Sequence, residues 1–144
     1  LYESFKNYSE KYKSKIEKKY EKNLINSIYF LKNKAKKLED IYQNAQYIIN
    51  ESIKITDEDK KLLDNLAKKV LADFTKEFKN LSKINKESLE KIVKKLIDAH
   101  KTNFKGVGQP IRIALTGSRF GPGVYDIIQS LDKNEVIRRL KMIN

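Results

Sequence analysis

Arg112 and Arg119 are the residues of this chain whose type and setting are best suited to chemistry. All four arginines, all five glycines and both prolines lie in the last 39 residues, and most crowd into Gly106 to Tyr125, GVGQPIRIALTGSRFGPGVY. Elsewhere the base is lysine. A guanidinium is a planar fork of five donors that fits phosphates and base edges, and an ammonium does not mimic it. Glycine and proline bend the backbone and let it approach a ligand closely. Unpaired bases in an RNA loop are read by guanidinium hydrogen bonds, by stacking on aromatic rings such as Phe120 or Tyr125, and by nearby backbone groups. Lysines on flanking helices would hold phosphates and set register. The same residues have a plainer reading, with the glycines as helix caps and turns and Arg112 and Arg119 in surface salt bridges. Both readings stay open on the residues alone. Arg138 and Arg139 fall on the last helix, where one is expected to face solvent and the other to pair with an acid.

Other chemistries find no footing. The single histidine, His100, lies on an apolar helical face and reads as a partly buried structural residue. With one histidine and no cysteine, a transition-metal site is not expected. Asp57-Glu58-Asp59 lacks the spacing and closing glutamate of a calcium loop. Thr116-Gly117-Ser118 has no base beside it and no G-x-S-x-G pattern. Neither a P-loop nor G-x-G-x-x-G occurs. No catalytic site, metal site or cofactor is expected within this chain.

The elements that must position the glycine-rich segment are helical. From Tyr2, apolar residues recur at Phe5, Tyr8, Tyr12, Ile16, Tyr20, Leu24, Ile28 and Leu31, the spacing of an amphipathic helix broken once. Its aromatic stripe reads as core-facing. A second helix starts near Lys36 to Asp40 and carries Leu38, Ile41, Tyr42, Ala45, Ile48 and Ile49. Ile53 to Thr56 reads as a linker. Thr56, with Asp59 three residues on, resembles a capping box, and the helix it opens should bury Leu62, Leu63, Leu66, Val70, Leu71, Phe74 and Phe78. Asn85 caps a further helix ending before Gly106. Ile111 to Leu115 predicts a short helix after Pro110, stopped at Thr116-Gly117. Pro122 suits the first turn of a helix through Leu131, and Asp132 with Glu135 opens a last one. The expected fold class is all-α, a helical bundle of two small subdomains, residues 1–55 and 56–144.

Net charge is +12 and the isoelectric point near 9.7. The excess is spread along the chain, which fits a polyanionic partner such as nucleic acid or an anionic surface. An AT-rich coding bias would produce the same Lys, Asn and Ile. Apolar runs are only a few residues long, so no transmembrane helix or signal peptide is predicted, and the expectation is a soluble, cytoplasmic protein. The chain opens in helical register without methionine, and is expected to be a piece of a longer protein.

Gln109-Pro110-Ile111-Arg112-Ile113-Ala114-Leu115-Thr116-Gly117-Ser118, followed by Gly121-Pro122-Gly123-Val124-Tyr125-Asp126-Ile127-Ile128, resembles the C-terminal signature of bacterial glutamyl-tRNA synthetases, Q-P-[LI]-R-x-A-L-T-G-x-x-x-x-P-x-[LIV]-[FY]-[DE]-[IV]-[LI]. Arg139-Leu140 fills the short R-L element that follows it. A weaker resemblance covers Leu31 to Ile49, through Leu38 and Tyr47. The resemblance implies the all-α anticodon-binding part of a class I aminoacyl-tRNA synthetase. The parent would activate glutamate with ATP and Mg²⁺ and transfer it to tRNA(Glu), with its catalytic motifs elsewhere. It implies that Arg112 reads an anticodon base and that the turn of Gly121, Pro122, Val124 and Tyr125 touches the anticodon loop, Gly121 through its backbone. Arg119 joins them from the same turn. Lys34 stands where some members carry an arginine that discriminates the first anticodon base. Lysine lacks the fork, so a paralogue charging tRNA(Gln) is an alternative. The rival from another class is a helical protein-interaction or membrane-surface module. A monomer is expected.

Overall fold

The computed structural model describes residues 1–33 and 35–143; Lys34 and Asn144 lie outside the described residues. Among the described residues there is no strand, and the chain forms two compact units, Leu1–Ser52 and Ile53–Asn144. The sequence pattern puts the break slightly later, after residue 55. Ile53 and Ile55 line a small cavity with Ala114, Arg139, Met142 and Ile143, which ties this segment to the second unit.

In the first unit the N-terminal apolar stripe is split into α1 (Tyr2–Tyr12), a 3₁₀ turn (Lys18–Tyr20) and α2 (Glu21–Leu31). The break begins where the buried Ser9 hydroxyl donates to the carbonyl of Ser14 at 2.8 Å, offering the chain an alternative to the next helical turn. Phe5, Ile16, Leu24 and Leu31 are buried as the stripe predicted, but Tyr12, at the end of α1, is 61 % exposed. A helical phase drawn through the break misplaces it. α3 (Leu38–Asn44) begins where expected. Its Asp40 carboxylate accepts from the backbone N–H groups of Lys36 and Lys37 at 2.9 and 3.2 Å. α4 (Gln46–Ile49) follows, burying Tyr47 and Ile48. Tyr8 donates to Glu39 of α3, and Lys13 Nζ lies 3.2 Å from the same carboxylate. These donors, the Tyr8 hydroxyl first, hold the Glu39 pKa down at about 2, and the shared bond pushes Tyr8 up to about 12.

In the second unit the Thr56 hydroxyl accepts from Asp59 N–H at 3.2 Å, as the capping pattern predicted. The helix it opens, α5 (Asp57–Lys60), lasts one turn. A second cap takes over, where Asp64 accepts from Ala67 N–H at 2.9 Å and starts α6 (Asn65–Lys79). Two competing N-caps thus divide the single helix expected here, and Leu66 is left exposed. α6 packs against α7 (Lys86–His100), α8 (Phe104–Thr116) and α10 (Lys133–Ile143). The core is built on Val70, Leu71, Phe74 and Phe78 of α6, with Leu89 and Val93 of α7, Ile111 and Leu115 of α8 and Leu140 of α10. Asn85 caps α7 reciprocally with Ser88, and His100 Nε2 sits 2.8 Å from Asp73 Oδ2, a structural contact.

The largest departure from expectation is α8. It begins at Phe104 and runs through Gly106, Gly108 and Pro110, where the sequence suggested a loop and a five-residue helix. Asn103 caps it, accepting from Gly106 N–H at 2.9 Å. Close packing replaces loop formation as the reason for the glycines. A Cβ on Gly106 would come within 2.0 Å of Thr102 Oγ1, and one on Gly108 within 3.3 Å of the Phe104 ring. Pro110 costs the helix a donor but is buried, so packing outweighs propensity. Pro122 lies ahead of α9 (Val124–Gln129), not in its first turn, and Gly123 is the N-cap.

Candidate nucleic-acid interface

α8 ends at Gly117, whose φ of 84° is the left-handed conformation expected of a helix-stopping glycine. A Cβ there would also come within 2.4 Å of the carbonyl oxygen of Lys54, so a larger residue is excluded twice over. From Gly117 the chain turns through Ser118 to Gly123 and enters α9. The Thr116 hydroxyl holds the near side of this turn. Its oxygen lies 2.8 Å from Arg112 O and 3.1 Å from Ser118 O, so its one proton serves one carbonyl at a time, and it accepts from Ser118 N–H at 3.2 Å.

Arg112 projects from α8 into the same turn. Its Nε donates to Pro122 O at 3.2 Å and its Nη1 to Arg119 O at 3.0 Å, so one guanidinium clamps both flanks of Phe120-Gly121. The half-buried fork forms no ion pair among the described residues, and burial pushes its pKa down from the ordinary arginine value. Among the described residues its positive charge is met by neutral carbonyls. The other three arginines differ. Arg119 Nη2 lies 3.5 Å from Glu58 and its buried Nε 3.4 Å from Asp59, an ion-pair distance without hydrogen-bond geometry. Arg138 and Arg139 both bond to Glu135, whose pKa is held down by Arg138 first. As expected, one of the two, Arg138, faces solvent and the other, Arg139, pairs with an acid; the acid, Glu135, also holds Arg138. Arg139, 2 % exposed, also donates to Leu115 O at 2.7 Å and caps the end of α8.

The structure brings Arg112, Arg119 and Pro122 together directly, with Gly121 between them. Gly121 has a φ of 137°, and nothing lies within 4 Å of the place its Cβ would take, so its backbone borders open space. Val124 is 2 % exposed, and its side chain belongs to the core beside Gly108. Tyr125 is half-buried, with its ring 5.9 Å from that of Phe104. Burial pushes its pKa up. Lys34 lies outside the described residues. Sequence reasoning missed Thr116 and Ser118 as organisers of the turn, although a Thr-x-Ser pair around a glycine is a side-chain-turn signal. It weighed Asp57-Glu58-Asp59 as a calcium loop and Asp59 as part of a helix start, and missed Glu58 and Asp59 as the partners of Arg119. Among the described residues, no group of three or more His, Asp or Glu is placed to hold a metal ion, and no helix is long and apolar enough to cross a membrane.

The described residues form an all-α chain of basic composition that ends one helix in an arginine-clamped turn, and comparison with known proteins gives it a family. The model of the anticodon binding domain matches residues 1–143, and the chain belongs to that family. It is similar to the glutamate–tRNA ligase of Pelagibacter ubique, 53 % identical over 140 residues, which covers 97 % of this chain and 30 % of that protein. It is also similar to glutamate–tRNA ligase 1 of Dinoroseobacter shibae, 31 % identical over 121 residues, covering 83 % and 26 %. Its fold matches a crystal structure of a glutamate tRNA ligase from Elizabethkingia meningosepticum in complex with its amino acid. There the TM-score is 0.80 at 20 % identity, over 98 % of this chain and 28 % of that one. The chain therefore spans less than a third of the length of these relatives.

Proposed function

We propose that this chain is the anticodon-reading part of a glutamate–tRNA ligase, a cytoplasmic monomer whose partner is the anticodon loop of tRNA(Glu). The observation that carries this reading is Arg112. A half-buried guanidinium that no carboxylate among the described residues neutralises suits a partner supplying acceptors and negative charge, which base edges and phosphates do. Its clamp on Arg119 and Pro122 holds the turn in one shape, so that little ordering remains for binding to oppose. Arg112 reads a base edge, and Arg119 and the backbone at Gly121 and Pro122 border the bound loop. Val124 and Tyr125 contribute by holding the start of α9. The role proposed for Lys34, at the first anticodon base, rests on the sequence resemblance. The flanking lysines supply the salt-sensitive phosphate term.

The parent enzyme would use ATP and Mg²⁺ to activate glutamate. The residues of this chain do not fit that chemistry, because no phosphate-cradling glycine motif occurs and, among the described residues, no carboxylate cluster is placed to hold a cation. The proposal assigns activation to the rest of the parent and gives this chain the choice of tRNA.

The test is binding to a tRNA(Glu) anticodon stem-loop and to one with a scrambled loop, at two salt concentrations. Tighter binding to the true loop, persisting at the higher salt, is the expected result. Equal binding to both loops that vanishes with salt would overturn the reading and leave only lysine electrostatics.

A further inference from the structure

The turn that Arg112 clamps presents one side chain outward. Phe120 is 71 % exposed, and a lone exposed apolar side chain is ordinary on a protein surface. Its position is nevertheless held on every side. Its own N–H donates to Ser118 Oγ at 3.0 Å. The carbonyl before it, of Arg119, and the carbonyl of Pro122 beyond Gly121 both accept from the Arg112 fork. The guanidinium of Arg119 lies over its ring, with Cζ 4.9 Å from the centroid. That guanidinium is in turn tethered by Glu58 and the buried Asp59. The neighbouring Gly121 is open, with nothing within 4 Å of the place its Cβ would take.

We infer that Phe120 is a stacking platform for an unpaired nucleobase, backed by the Arg119 guanidinium. This rests on the reading of the chain as an RNA-loop binder and names a contact within it. Sequence reasoning left Phe120 and Tyr125 as equal candidates for stacking. The structure separates them: Tyr125 is half-buried and engaged with Phe104, whereas Phe120 has an exposed ring on a pinned backbone. A ring backed by a cation and still largely exposed is prepared for a third flat group. Base–aromatic stacking tolerates any base, because each has a π-face. Phe120 should therefore add affinity without adding selectivity, whereas the Arg112 fork reads edges. Glu58 and Asp59 act at one remove, as positioning residues that aim Arg119 at the ring.

The test uses the whole chain with stem-loops carrying 2-aminopurine at successive loop positions, in the true and the scrambled loop. The substitutions are Phe120→Leu and Phe120→Tyr. Since Phe120 is exposed, both variants should melt with the wild type, checked by circular dichroism. The expected result is quenching of one 2-aminopurine on binding, and loss of that quench with Phe120→Leu. The same variant should bind about tenfold more weakly to both loops alike, and Phe120→Tyr should restore the wild-type values. If Phe120→Leu keeps the wild-type quench and affinity, the platform is refuted while loop selectivity can still stand. If selectivity is absent but both loops weaken with Phe120→Leu, the platform stands and the anticodon reading falls.

Discussion

Arg112 and Arg139 both spend their donors on backbone carbonyls, and both withdraw from water, yet their surroundings differ. Arg139 donates to Leu115 O and to Glu135, so its charge is neutralised and its geometry complete within the fold. Arg112 donates to Pro122 O and Arg119 O and has no acid opposite it among the described residues. Burying a charge costs free energy unless it is paired. The fold meets this cost fully in Arg139 and leaves it partly uncompensated in Arg112, and under the proposed function RNA would supply the missing acceptor. Arg139 is fully buried and Arg112 half-buried, and their counter-ions set them further apart.

The comparison can be broken from the structural side first. Arg139→Ala removes one member of a buried, hydrogen-bonded pair and orphans the Leu115 carbonyl. It should cost about 3 kcal/mol, read by urea denaturation, while the folded fraction keeps its preference for the true loop. A large stability change with a parallel loss of selectivity would erase the distinction between the two arginines. Next, Gly117→Ala meets both an unfavourable φ and the Lys54 carbonyl and should cost about 2 kcal/mol, a loss visible in the same measurement.

Arg112→Ala sharpens the contrast. It should cost about 2 kcal/mol of discrimination between true and scrambled loops. Its effect on stability should stay under about 1 kcal/mol, because the freed loop carbonyls can turn to water. If the stability loss is the larger of the two, Arg112 is a structural clamp and nothing more. The smallest effect lies in the other unit. Glu39 has a folded pKa of about 2, below its ordinary 4.5, so its contribution is fully present above about 4.5 and fades as pH falls toward 2. Glu39→Gln should flatten the dependence of melting temperature on pH in that window and leave RNA selectivity at neutral pH unchanged.

Much of this was legible in the sequence, for reasons that can be named. The caps at Thr56, Asn85 and Gly117 rest on short-range hydrogen bonds and backbone sterics, so local patterns reveal them. The all-α class followed from periodicity, and the segment of interest from its glycines, prolines and arginines. What stayed hidden was set by side-chain packing, some of it within one helical turn and some between residues distant in the chain. Gly106 and Gly108 look like loop residues until the side chains crowding them are known. Pro110 looks like a helix start until its burial within α8 is seen. The pairing of Arg119 with Glu58 and Asp59 joins residues that no local pattern connects, whereas Arg138 and Arg139 share Glu135 at the i,i+3 and i,i+4 spacings that a helix brings together.

The meeting of Gly117 with the Lys54 carbonyl has a consequence for how this region folds. The bonds that shape the turn, from Arg112 and Thr116, span only a few residues, so the turn can form as soon as α8 does. Its base is seated against a backbone segment far away in the chain, and such a contact must wait for a long loop to close. The turn should therefore take its shape early and be locked in place late. Refolding followed at Phe120 should report the first event, and protection of the Lys54 region from hydrogen exchange the second.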